Sequence, residues 1–404
     1  MSQDEASKFD VDSLINAVFK PKEELTDFFQ KRIDELKITP TDALKLLGMG
    51  QNTLHGILHG TQQLVNFGNL IKLADFLQLP KEKVVDLYLN ELEKNHPPQH
   101  SISPDKVKFI KENFDLAALK KSGFIKSISD YSEIEKKITY YFGLRSIFDY
   151  TSPSVDVAYS EVSIKPKNYL TRAFFTNAAK YFFEEVENPY EFNRELLINY
   201  FAEIRWYSSN VELGLKSVVR DLFKMGITVI YLPPLSSLRI RGATFAVNNK
   251  PCIVLTDYIG FYPTLWFALV HELFHVLFDW EEIKQNKYHL TDDDDDRLKI
   301  REKENEADNF ARQYLFSLEK TNKVKDFLNN QMYVKDVARA NQVHPSFIYV
   351  FYAWDTGKKD RMAWPRARRH SPDIKLSIRE MDNPWDDPLS ITSFVKSKTH
   401  KIFS

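Results

Sequence analysis

Residues 266–278 are almost wholly apolar, yet they contain the pattern His271-Glu272-x-x-His275. In a helix, residues four apart lie on one face about one turn apart, so the two imidazoles can hold one zinc ion. Glu272 can then take a proton from a water bound to that zinc. A charged Glu between two His is costly on an apolar helix unless a metal compensates it. The pattern therefore predicts a buried helix with a metal site; the alternative is a core helix with two hydrogen-bonded histidines.

A second predicted helix, residues 301–315, offers the third protein ligand that catalytic zinc sites usually have. Glu304 and Asp308 lie one turn apart on it. We expect Glu304 to bind the metal and Asp308 to accept a hydrogen bond from the outer N–H of a ligating histidine, which fixes its tautomer. Glu306 remains the competing ligand, and a solvated charged face is the alternative for this helix.

Several linked motifs, in this order, resemble the ImmA/IrrE family of metallopeptidases. They are Gly226-Ile-Thr-Val, Arg241-Gly242-Ala243-Thr244, Pro251-Cys-Ile-Val-Leu, the H-E-x-x-H helix, Glu304-x-x-Ala307-Asp308-x-Phe310-Ala311 and Val343-His344-Pro345-Ser346-Phe347-Ile348. The resemblance covers roughly residues 215–354 and implies a zincin-like peptidase with a small sheet. In it, His271, His275 and Glu304 would bind Zn²⁺ and Glu272 would act as the base. The family usually has a Leu-Leu-Met-Pro-like segment at the end of the second helix, but this chain has Tyr314-Leu315-Phe316-Ser317. The difference weakens what the resemblance implies about the wall of the cleft and leaves unchanged what it implies about the metal.

Peptide hydrolysis also needs a group that stabilises the negatively charged oxygen of the tetrahedral intermediate. The sequence assigns no single residue to this task. His344, His289 and Tyr314 are the candidates.

Composition limits the remaining function classes. The 404 residues can hold two or three domains, and a net charge of −1 creates no general attraction to nucleic acid or an anionic membrane. The single cysteine, Cys252, excludes a disulfide framework and fits a reducing cytosol. The polar, acidic start of the chain is unlike a signal peptide, and no apolar run is long enough to span a bilayer. We therefore expect a cytoplasmic protein without a membrane partner.

Residues 23–95 carry closely spaced short helical patterns and resemble the helix-turn-helix domains of XRE-type (lambda repressor-like) regulators. A second helix is expected to open at Thr41, and a third to cover residues 51–58. On the third helix, the residues expected to face DNA or a partner are Gln51, Asn52, Thr53 and His55.

The charge of this domain argues against strong DNA binding. Residues 51–58 contain no Lys or Arg, and residues 22–94 contain nine basic and eleven acidic residues, a net of −2. Phosphate contacts supply most of the affinity of DNA-binding domains. We therefore expect weak DNA binding, and the same fold could instead bind a protein.

These features predict an α+β protein of several parts. They are a tail (1–22), an all-α helix-turn-helix domain (23–95), a linker (96–104), a helical middle region serving as a spacer (105–209), the metallopeptidase domain (210–356) and a flexible basic C-terminal tail (357–404). Within the peptidase domain we expect three strands, over residues 228–232, 242–247 and 252–255, of which the last two would offer a free edge to an extended peptide. Residues 287–296, with five consecutive Asp, are expected to form a solvated loop.

The function expected from the motifs and the resemblance is that of an intracellular zinc endopeptidase. Its substrate would be a helix-turn-helix regulator in a stress or phage response, and the repressor-like domain leaves homodimer formation open. The alternative is a DNA-binding transcription regulator or antitoxin whose metal domain is a sensor or a structural element. Glu272 favours the enzyme, because a structural zinc site has no need of it.

Overall fold

The computed structural model describes most of the chain in two compact units, one ending at Ser101 and the other beginning at Ile102. The described residues are 24–96, 102–151, 168–235, 238–286, 288–292 and 298–404. Each unit has its own core of buried hydrophobic side chains. The predicted N-terminal tail, the proline-containing part of the predicted linker and most of the Asp run lie outside the described residues.

The described part of the first unit consists of helices and their connections, without a strand. Its helices are α1 (Leu25–Leu36), α2 (Pro40–Leu47), α3 (Gln51–Leu58), α4 (Phe67–Leu77) and α5 (Lys81–Asn95). Helix α2 begins at Pro40 rather than at Thr41, because the Thr39 hydroxyl accepts a hydrogen bond from the Asp42 N–H and proline fits a first turn. The expected third helix has the bounds of α3.

The second unit begins with helices that precede a sheet. They are α6 (Pro104–Asn113), α7 (Leu116–Lys121), α8 (Tyr131–Phe142), α9 (Tyr169–Val186), α10 (Arg194–Tyr207) and α11 (Gly214–Lys224), with a 3₁₀ turn at Ile147–Asp149. On α9, Phe174, Phe175 and Phe182 are buried. The helical middle region therefore packs into the same hydrophobic core as the sheet.

The sheet has four described strands, β1 (Thr228–Tyr231), β2 (Ile240–Val247), β3 (Lys250–Leu255) and β4 (Tyr288–Asp292). Their order is β1-β3-β2-β4; β1 runs parallel to β3, and the other pairs are antiparallel. Strands β2 and β3 form a hairpin through Asn248 and Asn249, both with positive φ, as a two-residue turn with matching twist requires. With this sheet among many helices, the protein is α+β, as predicted.

Two expectations about the sheet are wrong. Residues 288–292 form a strand where a loop was expected, because their backbone pairs with β2. Strands β2 and β3 are each paired on both sides, so neither offers the free edge expected to bind an extended peptide. The outer strands of this sheet are β1 and β4.

Helix α12 (Tyr262–Phe278) is the centre of the second unit. It packs against β2, β3 and α14 (Leu298–Phe316), and α13 (Trp280–Asn286) follows it. All of its residues are buried except Phe274 and Phe278. Burial on nearly all sides is the reason that its sequence is apolar around the whole helix.

The last helices close the core. They are α15 (Leu318–Val324), α16 (Gln331–Ala340), α17 (Ser346–Thr356), α18 (Ala363–His370), α19 (Lys375–Ile378) and α20 (Ile391–Phe403), with a 3₁₀ turn at Lys325–Phe327. The prediction of a flexible basic tail after residue 356 is wrong, because Trp385, Phe394 and Phe403 anchor this segment in the main core. None of the helices in the described part of the chain combines the length and apolar character that a membrane span needs.

Candidate metal centre

Helix α12 holds the two histidines of the H-E-x-x-H pattern on one face. His271 and His275 are each 1% exposed, and their Nε2 atoms lie 3.2 Å apart. The helical spacing predicted from the sequence is thus observed, and the surrounding apolar residues leave both rings few alternative orientations.

Glu304 of α14 completes a group of three possible ligands. Its Oε2 lies 3.1 Å from His271 Nε2, and its Oε1 lies 3.4 Å from His275 Nε2. Ligands about 2.0–2.1 Å from a tetrahedral zinc ion lie about 3.3–3.4 Å from one another. The 3.2 Å between the two histidine Nε2 atoms is close to one edge of such a tetrahedron. Glu304 contacts the two imidazoles through different oxygens, and with one ligand atom taken from each residue the three atoms lie within 4.8 Å of one another. Among the described residues, His271, His275 and Glu304 are therefore the set whose spacing could hold a metal ion.

Each histidine also contacts a carboxylate through its other ring nitrogen. His271 Nδ1 lies 2.8 Å from Asp308 Oδ1, and His275 Nδ1 lies 2.8 Å from Asp279 Oδ2. A carboxylate at Nδ1 makes Nε2 the nitrogen that can act as a metal ligand and fixes the ring orientation. The arrangement thus has the outer carboxylates that metal-binding histidines commonly have.

Charged groups hold these two carboxylates in turn. Arg241 on β2 donates from both terminal nitrogens to Asp308, at 3.1 and 3.4 Å. Lys303 on α14 lies 3.2 Å from Asp279. Burial opposes ionisation of both carboxylates, but the hydrogen bonds with the histidines and the nearby cations outweigh it and lower the pKa of each.

The carboxylates raise the pKa of both imidazoles. Burial disfavours the charged form of His271, but hydrogen bonds to Asp308 and Glu304 outweigh it and raise its pKa. Against the same effect of burial, Asp279 and Glu304 raise the pKa of His275 to about 9. The site therefore stabilises positive charge at the imidazoles, and either protons or a metal cation can supply it.

Glu272 lies next to the metal-ligand candidates and is fully buried. Its Oε2 accepts a hydrogen bond of 2.7 Å from the Thr244 hydroxyl on β2. A Cβ atom at Gly242 would come within 2.5 Å of Glu272 Oε1. Strand β2 thus approaches this carboxylate as closely as only glycine permits and orients it through Thr244.

Glu306 and Tyr314 lie outside the group of possible metal ligands. Glu306 is exposed. The Tyr314 hydroxyl donates to the backbone carbonyl of Phe201 and accepts from the Arg205 N–H, and Tyr314 lies about 15 Å along α14 from Glu304. These contacts remove Tyr314 as an oxyanion-stabilising group.

Neither of the other two oxyanion candidates is brought to the metal ligands by a described contact. His344 Nδ1 lies 2.8 Å from the Ser346 hydroxyl, and its ring packs on Tyr262, at the opposite end of α12 from His275. His289 pairs through its backbone with Thr244 on β2, and its side chain lies outside the described residues. In the first unit, Gln51, Asn52 and His55 are exposed and Thr53 is half-buried.

Sequence reasoning missed four residues of the site: Thr244, Arg241, Gly242 and Asp279. Asp279 had a readable signal, because it lies four residues after His275, one turn further along the chain. For the three β2 residues, the sequence carried no signal beyond their place in a motif, because the contact between β2 and α12 joins distant parts of the chain.

Comparison with models of known protein families, with curated proteins and with solved structures finds no match for this chain. The candidate metal centre therefore rests on its own geometry and on the chemistry of its residues.

Proposed function

We propose that the second unit is a zinc-dependent endopeptidase. The observation that carries the proposal is the spacing of His271, His275 and Glu304, whose possible ligand atoms, one from each residue, lie within 4.8 Å of one another. Two nitrogens and one carboxylate oxygen are a donor set that suits zinc and leaves a fourth position open. A bound zinc ion would lower the pKa of water and polarise a peptide carbonyl.

The residues of the chain would carry the proton transfers. Glu272 would accept a proton from the attacking water and deliver it to the nitrogen of the leaving amine. Thr244 would keep the carboxylate in one orientation while it does so. Asp308 and Asp279 would hold the imidazoles with Nε2 toward the metal.

The alternative, a metal site with a purely structural role, explains fewer of these residues. It would need the three ligands and the outer carboxylates, but it has no use for a fully buried Glu272 held by its own hydrogen-bond donor. A buried carboxylate is costly to retain without a role. This difference favours the enzyme over a transcription regulator with a structural metal.

Metal content and protein cleavage test the proposal together. We expect about one zinc per chain in the wild type and in Glu272→Gln, with cleaved cellular proteins accumulating only in cells that make the wild type. His275→Ala should lose both zinc and cleavage. Protein that was never exposed to chelator and yet holds no divalent metal would exclude the site. Metal binding with identical cellular proteins in all strains would favour the regulator.

We further propose that the first unit brings the substrate, a helix-turn-helix regulator, to the metal centre. The two units share one chain, so their local concentration is high whatever their affinity. Removal of residues 1–95 should then slow cleavage of the natural targets and leave cleavage of an unstructured peptide unchanged. Equal cleavage of the natural targets by the shortened chain would contradict this role.

A further inference from the structure

An aromatic surface continues from the candidate metal centre to the solvent. We call Phe274, Phe278 and Phe310 the aromatic patch. Phe278 is 60% exposed although it belongs to the most buried helix of the second unit, and Phe274 is half-buried. A large apolar side chain exposed at this place needs an account of its own.

Phe274 and Phe278 share one face of α12 with the two histidines. Residues 271, 274, 275 and 278 follow the i, i+3, i+4, i+7 spacing of a single helical stripe. The Phe274 ring lies 5.7 Å from the His275 ring, and the Phe278 ring lies 4.7 Å from Phe274. Moving along this stripe leads from a buried metal-ligand candidate to an exposed aromatic ring.

Helix α14 supplies the other side of the patch. Phe310 lies 5.4 Å from Phe274 and 6.3 Å from Phe278 between ring centres. The same helix carries Glu304, so both helices that provide metal-ligand candidates also provide the aromatic patch. A molecule that reaches the ligands along this surface must pass these rings.

Phe310 of the aromatic patch is fixed by contacts with α10 and with Tyr314. Phe310 packs on Phe201 and stacks parallel to Tyr314, and the Tyr314 hydroxyl hydrogen-bonds to the backbone of α10. A rigid apolar surface can discriminate between side chains, because it loses little conformational entropy when a ligand binds.

We propose that the aromatic patch binds a large apolar side chain of the polypeptide, next to the bond that is cut. The inference rests on the proposed function and names the class of substrate: chains with Leu, Met or an aromatic residue beside the cleavage site. Single exposed apolar residues are ordinary on protein surfaces. Phe278 differs because two successive ring contacts, with Phe274 between them, connect it to His275 of the candidate metal centre.

Peptide binding to an inactive protein tests the proposal without any turnover. The probes are fluorescein-labelled unstructured decapeptides with a central Leu or Phe, and matched peptides with a central Ala. In the zinc-loaded full-length Glu272→Gln protein, we expect the Leu and Phe peptides to bind more tightly. Adding Phe278→Ala should weaken their binding about tenfold and leave the Ala peptide unchanged. Phe278→Leu should retain most of the preference.

Phe327→Ala is the matched control, because Phe327 is 50% exposed and belongs to the 3₁₀ turn after α15. It should leave all affinities unchanged. Equal binding of the Leu and Ala peptides, or equal losses in Phe327→Ala and Phe278→Ala, would overturn the inference. So would a change of oligomeric state in Phe278→Ala with an unchanged peptide preference, since the patch would then join two copies of the chain.

The outcomes for the patch and for the proposed function are separable. If the protein prefers apolar peptides in binding but the wild type cleaves none, the proposed peptidase activity is refuted and the patch remains a polypeptide-binding surface. If the wild type cleaves peptides without an apolar preference, only the proposed role of the patch is refuted.

Discussion

The hydroxyl of Thr244 donates a hydrogen bond of 2.7 Å to Oε2 of Glu272, and both residues are fully buried. This contact joins the centre of β2 to the centre of α12 across 28 positions of the sequence. It determines where the carboxylate points, and it couples the sheet to the candidate metal centre.

Replacing Thr244 tests that coupling. Thr244→Val keeps the shape but removes the donor, so we expect zinc content near the wild-type level, turnover reduced about a hundredfold and the free energy of unfolding reduced by about 1–3 kcal/mol. Zinc analysis, peptide turnover and thermal denaturation measure the three quantities. Thr244→Ser retains the hydroxyl and should stay close to the wild type; equal losses in both variants would mean that the hydroxyl alone does not account for the role of Thr244.

The outer carboxylates should control metal affinity. Asp279→Ala and Asp308→Ala each remove the partner of a histidine Nδ1, and we expect each to weaken zinc binding about 10–100-fold. Competition with a chelator of known affinity provides the measurement. Asp326→Ala, at an exposed position of the 3₁₀ turn Lys325–Phe327, is the control and should bind zinc as the wild type does. Unchanged affinity in both site variants would show that these carboxylates do not support the metal ligands.

Gly242 should tolerate no side chain. A Cβ atom there would lie 2.5 Å from Glu272 Oε1 and 2.8 Å from its Cγ, so either the strand or the carboxylate must move. We expect Gly242→Ala to lower the free energy of unfolding by about 1–3 kcal/mol and to reduce turnover sharply. Gly50→Ala is a comparison with room for the methyl group, since its nearest neighbour would be the Thr53 hydroxyl at 4.0 Å. Denaturation curves that coincide for wild type and Gly242→Ala would contradict this account.

The first unit should bind DNA weakly. Its third helix exposes Gln51, Asn52 and His55 but carries no Lys or Arg, and residues 22–94 have a net charge of −2. Without phosphate contacts, we expect dissociation constants of about 10⁻⁶ M or weaker at physiological salt, with little change in Gln51→Ala. Fluorescence anisotropy with duplex DNA measures this, and a nanomolar, sequence-specific complex of residues 1–95 would refute it.

Much of the fold was readable from local patterns. The helical patterns of α3, α12 and α14, and the strand patterns of β1 to β3, depend on neighbours within a few residues, so the sequence displays them directly. Strand β4 was not readable, because it lies beside an Asp run and forms only by pairing with β2. The basic tail was misread for a similar reason, since Phe394 and Phe403 are anchored by core residues far away in the sequence.

For the site, the sequence by itself determined the two helices and the face on which each polar group lies. Helical spacing places His271 beside His275 and Glu304 in line with Asp308, and neither relation needs any other part of the chain. Only the tertiary structure decided that Glu304 rather than Glu306 faces the histidines and that Thr244 and Arg241 of β2 reach Glu272 and Asp308. The physical reason is that helix periodicity is a local property, whereas the packing of α12 against β2 and α14 depends on how their side chains fill the core together.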